Sequence, residues 1–259
     1  MLERIQQASA VAGPHMAFAF QKVFGHRVPP GGAILPSGGV KLVTGEPHPF
    51  GNFAIGQADD EVEAIARELA ATGQPSCVIF ADGLRSEAEQ AARQNGFAHE
   101  ETMPAMAVEI DSLAPCRLPE GYHFERFEPG DDAEDWAAAF AIGYELPQCV
   151  ADVFSPLAVP IDAAEDADVQ FFRVSHEGRT VAVSALIRGH GVAGIYCVAT
   201  VPEHRRCGLG AFATAEPLRA ARKQGYRIGV LQSSSMGHAV YRGLGFEDVG
   251  SLSMLIRIP

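Results

Sequence analysis

The sequence predicts an α/β protein built on a mixed, mostly antiparallel sheet with helices against it, and three observations predict it. Residues 169–174, 181–187 and 192–200 are apolar strand-like runs. They are joined by His176-Glu177-Gly178-Arg179 and Arg188-Gly189-His190-Gly191, turns tight enough to force an antiparallel meander. The third run passes through a glycine-rich turn into an alanine-rich helical segment. Finally, the order helix, strand, helix, Gly-Phe and closing strands occurs twice, around Gly96-Phe97 and around Gly245-Phe246, which suggests an internal repeat.

Composition narrows the functional classes. A chain of 259 residues that is 47% apolar holds one large core or two ordinary ones, and the repeated element order favours two. The 32 acidic and 20 basic residues give a net charge of −12, which argues against a nucleic acid or an anionic membrane as partner. Cys77, Cys116, Cys149, Cys197 and Cys207 are odd in number and form no Cys-x-x-Cys pair. They disfavour a disulfide framework or a thiolate zinc site and fit a reducing cytoplasm. The histidines lack His-x-x-x-His spacing, so no metal is expected. Residues 1–7 lack the basic start of a signal peptide and no apolar run reaches bilayer length, which predicts a soluble protein.

Along the chain, Ile5, Ala8 and Val11-Ala12 predict a partly helical start that Gly13-Pro14 interrupts. Short strands are predicted over 40–44 and 52–56. Asp59-Asp60-Glu61 then forms the acidic first turn of a helix carrying Val62, Ile65, Ala66 and Leu69 on one face. Residues 76–81 read as a buried strand, and Ser86 with Glu89 as a capping box for the helix that ends at Asn95-Gly96. Pro115 and Pro119, with few apolar anchors between them, place a boundary between domains at 1–114 and 119–259. The second domain opens with a strand at 122–127 and a helix with Trp136, Ala139, Phe140 and Tyr144 on one face. An acidic loop over 147–168 follows, with Asp162, Glu165, Asp166 and Asp168. Pro217 falls inside the helix after the glycine-rich turn. There it removes a backbone hydrogen bond and crowds the carbonyl of Ala213, predicting a kink or break.

The turn itself reads Val201-Pro202-Glu203-His204-Arg205-Arg206-Cys207-Gly208-Leu209-Gly210-Ala211. Side-chain-free positions at a strand-to-helix turn leave N–H groups open, and the positive end of the helix dipole suits a pyrophosphate. With Ile195 to Thr200 before it, the strand 228–231 after it and Gly237 to Phe246 beyond, this arrangement resembles the GNAT superfamily of acyl-CoA N-acyltransferases. That family's signature is Gln/Arg-x-x-Gly-x-Gly/Ala. The resemblance covers roughly the last third of the chain. The first copy of the repeat has no such turn, and Ala92 stands where Tyr241 would be, so the chain looks like a tandem GNAT protein with a degenerate first half.

The resemblance implies splayed central strands with acetyl-CoA in the gap. It places the pantetheine arm on the backbone of Val198 and Thr200, and the pyrophosphate on the amides of Arg206, Cys207, Gly208, Leu209, Gly210 and Ala211. Arg205 either adds charge to phosphate or braces the turn. Direct transfer to a small-molecule or peptide amine is implied, with Tyr241 protonating the leaving thiolate. The family's strand glutamate is missing, which leaves an ordered water, Tyr196, His190 or an acidic loop residue as base. Cys197 raises a covalent acyl-cysteine route. Ser233 to Ser235 either cap the last helix or touch the bound arm. A module that senses acyl-CoA without turnover is the competing expectation, and a homodimer is left open.

Overall fold

The structure is a computed structural model and describes residues 8, 10–26, 28–56, 58–81, 86–164 and 167–259. Ile5, Glu165 and Asp166, singled out above, lie outside these, as do the side chains of Asp59 and Ser86. The strands are β1 (Gly32–Ile34), β2 (Val40–Val43), β3 (Asn52–Gly56), β4 (Ser76–Ala81), β5 (His99–Glu109), β6 (Tyr122–Arg126), β7 (Val169–His176), β8 (Arg179–Gly189), β9 (Val192–Thr200), β10 (Ile228–Gln232) and β11 (Glu247–Arg257). The helices are α1 (Pro14–His26), α2 (Asp59–Ala71), α3 (Ser86–Gln94), α4 (Ala133–Tyr144), α5 (Gln148–Val153), α6 (Leu209–Lys223) and α7 (His238–Leu244). Among the described residues, no helix is long and apolar enough to cross a membrane.

All strands join one 11-stranded sheet in the order β1-β2-β3-β4-β11-β5-β10-β9-β8-β7-β6. The repeat suspected in the sequence appears here as symmetry of order about the β11/β5 boundary. β3 runs parallel to β4 just as β9 runs parallel to β10, and β4 and β10 each pair antiparallel with the closing strand of the opposite half. The closing strands are therefore exchanged. Met106, Val108 and Ile110, from β5 and the turn after it, pack with Leu218 and Leu244 under α6 and α7, while Leu255 on β11 packs with Leu69, Val78 and Phe97 under α2 and α3. The boundary expected at Pro115 to Pro119 falls in the link from β5 to β6, and the sheet continues across it.

The opposite face carries α1, α4 and α5 over the largest core. Trp136 is fully buried there, with its indole N–H donating to the Phe172 carbonyl at 2.9 Å. β8 is buried along nearly its whole length, as expected of a strand covered on both sides. Residues 8 and 10–12 are helical, Gly13 is a turn and Pro14 opens α1, so Gly13-Pro14 interrupts the helical start as expected; proline's fixed φ suits the first helical position, where the missing N–H costs nothing. One local expectation needs correction. The acidic loop at 147–168 contains the short helix α5, whose Val150 and Ala151 are buried.

Pro217 does not break α6, which runs continuously through residue 223. The hydrogen bond that proline removes is replaced from outside the helix. Ser184 on β8 donates its hydroxyl to the Ala213 carbonyl at 2.7 Å, and the serine is fully buried. Ser184→Ala should leave that buried carbonyl without a partner and destabilise the protein by about 1–3 kcal/mol, read as a lower denaturant midpoint. Adding Pro217→Ala should restore part of the loss, because the new N–H reaches the same oxygen. Additive effects of the two changes would show that serine and proline do not compensate one another.

Candidate active site

β9 and β10 are paired only at Ala193/Gly229 and Val230/Gly194. β10 instead follows β5, with which it pairs along its whole length. Beyond Gly194 the edge of β9 that faces β10 has no strand partner, and a gap opens between them. In the first half, β3 and β4 remain paired to the end of β3, at Gly56/Phe80, and no such gap forms.

A bulge shapes the wall of this gap. Val183 faces Ala199 and Ala185 faces Tyr196, so Cys197 and Val198 together oppose the single residue Ser184. Cys197 takes φ 52, a left-handed conformation that costs a side-chain-bearing residue about 1–2 kcal/mol. The extra residue breaks strict alternation, and the consecutive side chains Tyr196, Cys197 and Val198 all reach one cavity.

At the end of β9 the turn expected to hold phosphate begins α6. Gly208 has φ 81 and precedes the helix with no side-chain cap, and the first turn carries no acidic residue. The first hydrogen bond back into the turn is Phe212 N–H to Gly208 carbonyl at 3.1 Å. Among the described residues, no backbone partner takes the N–H groups of residues 206–211. A helix end left this way attracts an anion. Arg206, also left-handed at φ 67, is exposed and makes no ion pair among the described residues. Arg205 braces the turn, donating from Nε to the Thr200 carbonyl at 3.2 Å and from Nη2 to the Gly143 carbonyl at 3.0 Å.

Two cavities meet at the gap. One, of about 740 Å³, is lined by Val198, Thr200, Arg205, Arg206, Gly208, Leu209, Gly210 and Ala211, so it gathers the expected binding residues apart from Cys207, whose thiol is exposed. The other, of about 720 Å³, lies between the halves. Tyr144, Val198, Gln232, Ser234 and Tyr241 line both. Burial pushes the Tyr241 phenol up to about 12, partly offset by a hydrogen bond with Thr214, so at neutral pH it holds its proton. Burial likewise raises the Cys197 thiol to about 12, leaving almost no thiolate for a covalent route. Ser234 accepts the Gly237 N–H on its hydroxyl at 3.2 Å, the capping role anticipated for the serine run, and it also lines the junction.

Of the described groups expected as base, Tyr196 alone lines the second cavity; the His190 ring packs at 4.3 Å against Phe18, and Asp168 pairs with Lys22. No spacing or motif along the chain points to what holds Tyr196. His15 on α1 is fully buried, its Nδ1 is 2.8 Å from the Tyr196 hydroxyl, and its ring stacks on the tyrosine at 5.9 Å. Gly194 makes room for this contact, since a Cβ there would lie 2.5 Å from the imidazole. Burial, then the neighbouring His190, lower the His15 imidazole to about 4, with the Gly189 carbonyl acting weakly the other way. It is neutral at pH 7, and its Nδ1 can accept a hydrogen bond from the Tyr196 hydroxyl, whose ionisation burial also opposes.

Residues 121–231 match the family described as acetyltransferase (GNAT) domain. A mycothiol acetyltransferase of Saccharomonospora viridis is 30% identical over 188 residues, which cover 66% of this chain and 61% of that protein. The chain thus spans about three fifths of that relative's length. Among solved structures, a GCN5-related N-acetyltransferase from Kribbella flavida matches with TM-score 0.63 over 95% of both chains at 23% identity. Another, from Sphaerobacter thermophilus, matches at 0.60 over 85% of this chain and 75% of that one at 14% identity. A tandem GNAT protein from the clavulanic acid biosynthesis pathway matches at 0.50 over 76% and 69% at 12% identity. These structural likenesses concern the fold.

His15 makes the fold acid-sensitive. Its folded pKa lies below the unfolded value, so the unfolded chain binds the extra proton. The contribution is intact above about pH 6.5 and is lost as the pH falls towards 4. Between pH 7 and 4.5 the loss from this group should be about 2–3 kcal/mol, and His15→Phe should flatten the corresponding part of a melting temperature against pH curve. An unchanged curve would show that His15 is protonated as readily in the folded chain as in the unfolded one.

Proposed function

Since residues 121–231 match the acetyltransferase (GNAT) domain family, we propose that the chain is an N-acetyltransferase that moves the acetyl group of acetyl-CoA to a primary amine in a ternary complex. The observation that carries this reading is the junction of the two cavities. The groove that ends in uncapped helix amides opens at Tyr241 and the β9 bulge into a second chamber large enough for an acceptor. The acetyl group as cargo draws support from the similarity to a mycothiol acetyltransferase.

The amides of residues 206–211 and the Arg206 side chain would hold the pyrophosphate, and the open edge of β9 at Val198 and Thr200 would pair with the pantetheine arm. Both substrates then lie against the bulge, and much of the acceleration comes from holding amine and thioester together. The amine nitrogen attacks the thioester carbonyl, whose developing negative charge the bulge amides stabilise. The proton that the nitrogen releases passes to water at the junction, because burial keeps His15 neutral and raises the Tyr196 phenol, so that Tyr196, held by His15, orients the amine through its hydroxyl. The C–S bond breaks, and the departing thiolate takes the Tyr241 proton. Arg205 acts indirectly, by fixing the turn against α4 and β9.

Tyr241→Phe should lower turnover by roughly ten- to a hundredfold while the KM for acetyl-CoA stays within about twofold, measured by thiol release. Gly208→Val forces a β-branched residue into a left-handed turn and should weaken CoA binding at least about tenfold by calorimetry. Binding of CoA with no thiol released across a broad amine panel would instead favour a sensor.

A further inference from the structure

The chamber beyond the junction is unlike a site for a hydrophilic acceptor. Its volume of about 720 Å³ is that of a site for a whole small molecule, where roughly 300–1,000 Å³ is usual, and far exceeds the needs of an acetyl group. Its far wall is made by the first half of the chain, through Met16, Phe20 and Val23 on α1 and Phe53 on β3. The Phe20, Phe53 and Phe154 rings meet edge-on or tilted, with centroids 5.1–6.0 Å apart, and come from three separate elements. Among the described lining residues there is no lysine or arginine, and Glu101 is the one carboxylate, with His48 and Thr102 the other polar side chains from the first half. Gln232 and Ser233 to Ser235 follow β10 to the junction, where Tyr196 and Tyr241 also line the chamber.

We propose that the acceptor is an apolar monoamine, an arylalkylamine or alkylamine whose body lies against the Phe20/Phe53/Phe154 cluster while its nitrogen sits at Tyr196 and Tyr241. The degenerate first half is thereby the specificity wall of the second half's site. This rests on the acetyl-transfer reading and adds to it the acceptor's chemical class. The physical reason is one-sided pairing. Each hydroxyl of a sugar-like acceptor pressed against this wall would lose water without gaining a partner, costing roughly tenfold or more in affinity. An acceptor carboxylate would meet Glu101 and no cation. Each methylene that the wall buries should instead gain about fourfold. The chain's net charge of −12 also favours a cationic free amine over an anionic ligand.

The test uses the full chain with propylamine, butylamine, hexylamine, 2-phenylethylamine and glucosamine. Calorimetry with and without CoA reads the chamber independently of turnover, and thiol release from acetyl-CoA and hexanoyl-CoA reads the reaction. Affinity should rise about fourfold per methylene, and 2-phenylethylamine should exceed glucosamine at least about thirtyfold. Phe20→Leu and Phe154→Ser, both at half-buried positions, should each lower 2-phenylethylamine affinity several-fold and leave CoA affinity unchanged. Equal affinities along the series, or tighter binding of glucosamine, would overturn the proposal. So would faster turnover of hexanoyl-CoA than acetyl-CoA with no discrimination among amines, because the chamber would then belong to the acyl chain. Tight apolar-amine binding with no thiol released would uphold the chamber's chemistry and overturn the transfer reading instead.

Discussion

The parting of β9 from β10 after two paired positions is the constraint on which the rest of the site depends. β5 pairs along the far edge of β10 from Ile228 to Gln232 and fixes the course of that strand, while the edge of β10 that faces β9 keeps strand partners only at Gly229 and Val230. The bulge at Cys197 and Val198 turns the free edge of β9 further from the ladder, at the expense of a left-handed cysteine. Ser184, the residue opposite the bulge, directs its hydroxyl to α6 and there completes the helix that Pro217 would otherwise weaken. The gap, the bulge and the helix whose uncapped N-terminus we propose as the anion cradle are thus fixed by contacts that touch one another.

The strand that holds β10 away comes from the first half of the chain, which ties the site to the exchange of β5 and β11. Each exchanged strand closes the core under the other half's helices, so neither half has a complete hydrophobic layer of its own. We propose domains at 1–114 and 119–259 as two copies of a repeat joined by this exchange. On that view the linker at Pro115 and Pro119 separates copies in sequence while the sheet spans both.

The sequence revealed those parts of the site that are local along the chain. Gly208 and Gly210, the strand before them and Tyr241 lie within one continuous stretch whose spacing carries chemistry, and the structure brings them to one groove. The splay was legible only through family resemblance, because no residue of β10 announces that it will follow β5. His15 and Phe20 were illegible for the same reason. A lone histidine after Gly13-Pro14 has no spacing that points to Tyr196, and the two meet across 181 residues only because α1 lies against the far face of the sheet. The Pro217 helix shows the converse limit, in which a sound local rule is overridden by a side chain from another element.

The asymmetry between the halves gives the first copy its meaning. β3 and β4 stay paired to the end, so no gap opens there, and α2 begins with Asp60 and Glu61 in its first turn, charges that repel an anion from the helix N-terminus. Both features disfavour a cofactor site in that half, while the sheet, the exchanged strand and α1 are intact. What that half retains is shape and apolar surface, and Met16, Phe20, Val23 and Phe53 present that surface to the chamber beyond Tyr241. A copy free of cofactor binding can vary its wall without disturbing the cradle, since the wall and the cradle lie on opposite sides of the junction formed by Tyr144, Val198 and Tyr241. Acceptor choice and acetyl-CoA recognition would then be carried by different stretches of one polypeptide, coupled only through the strand that keeps the gap open.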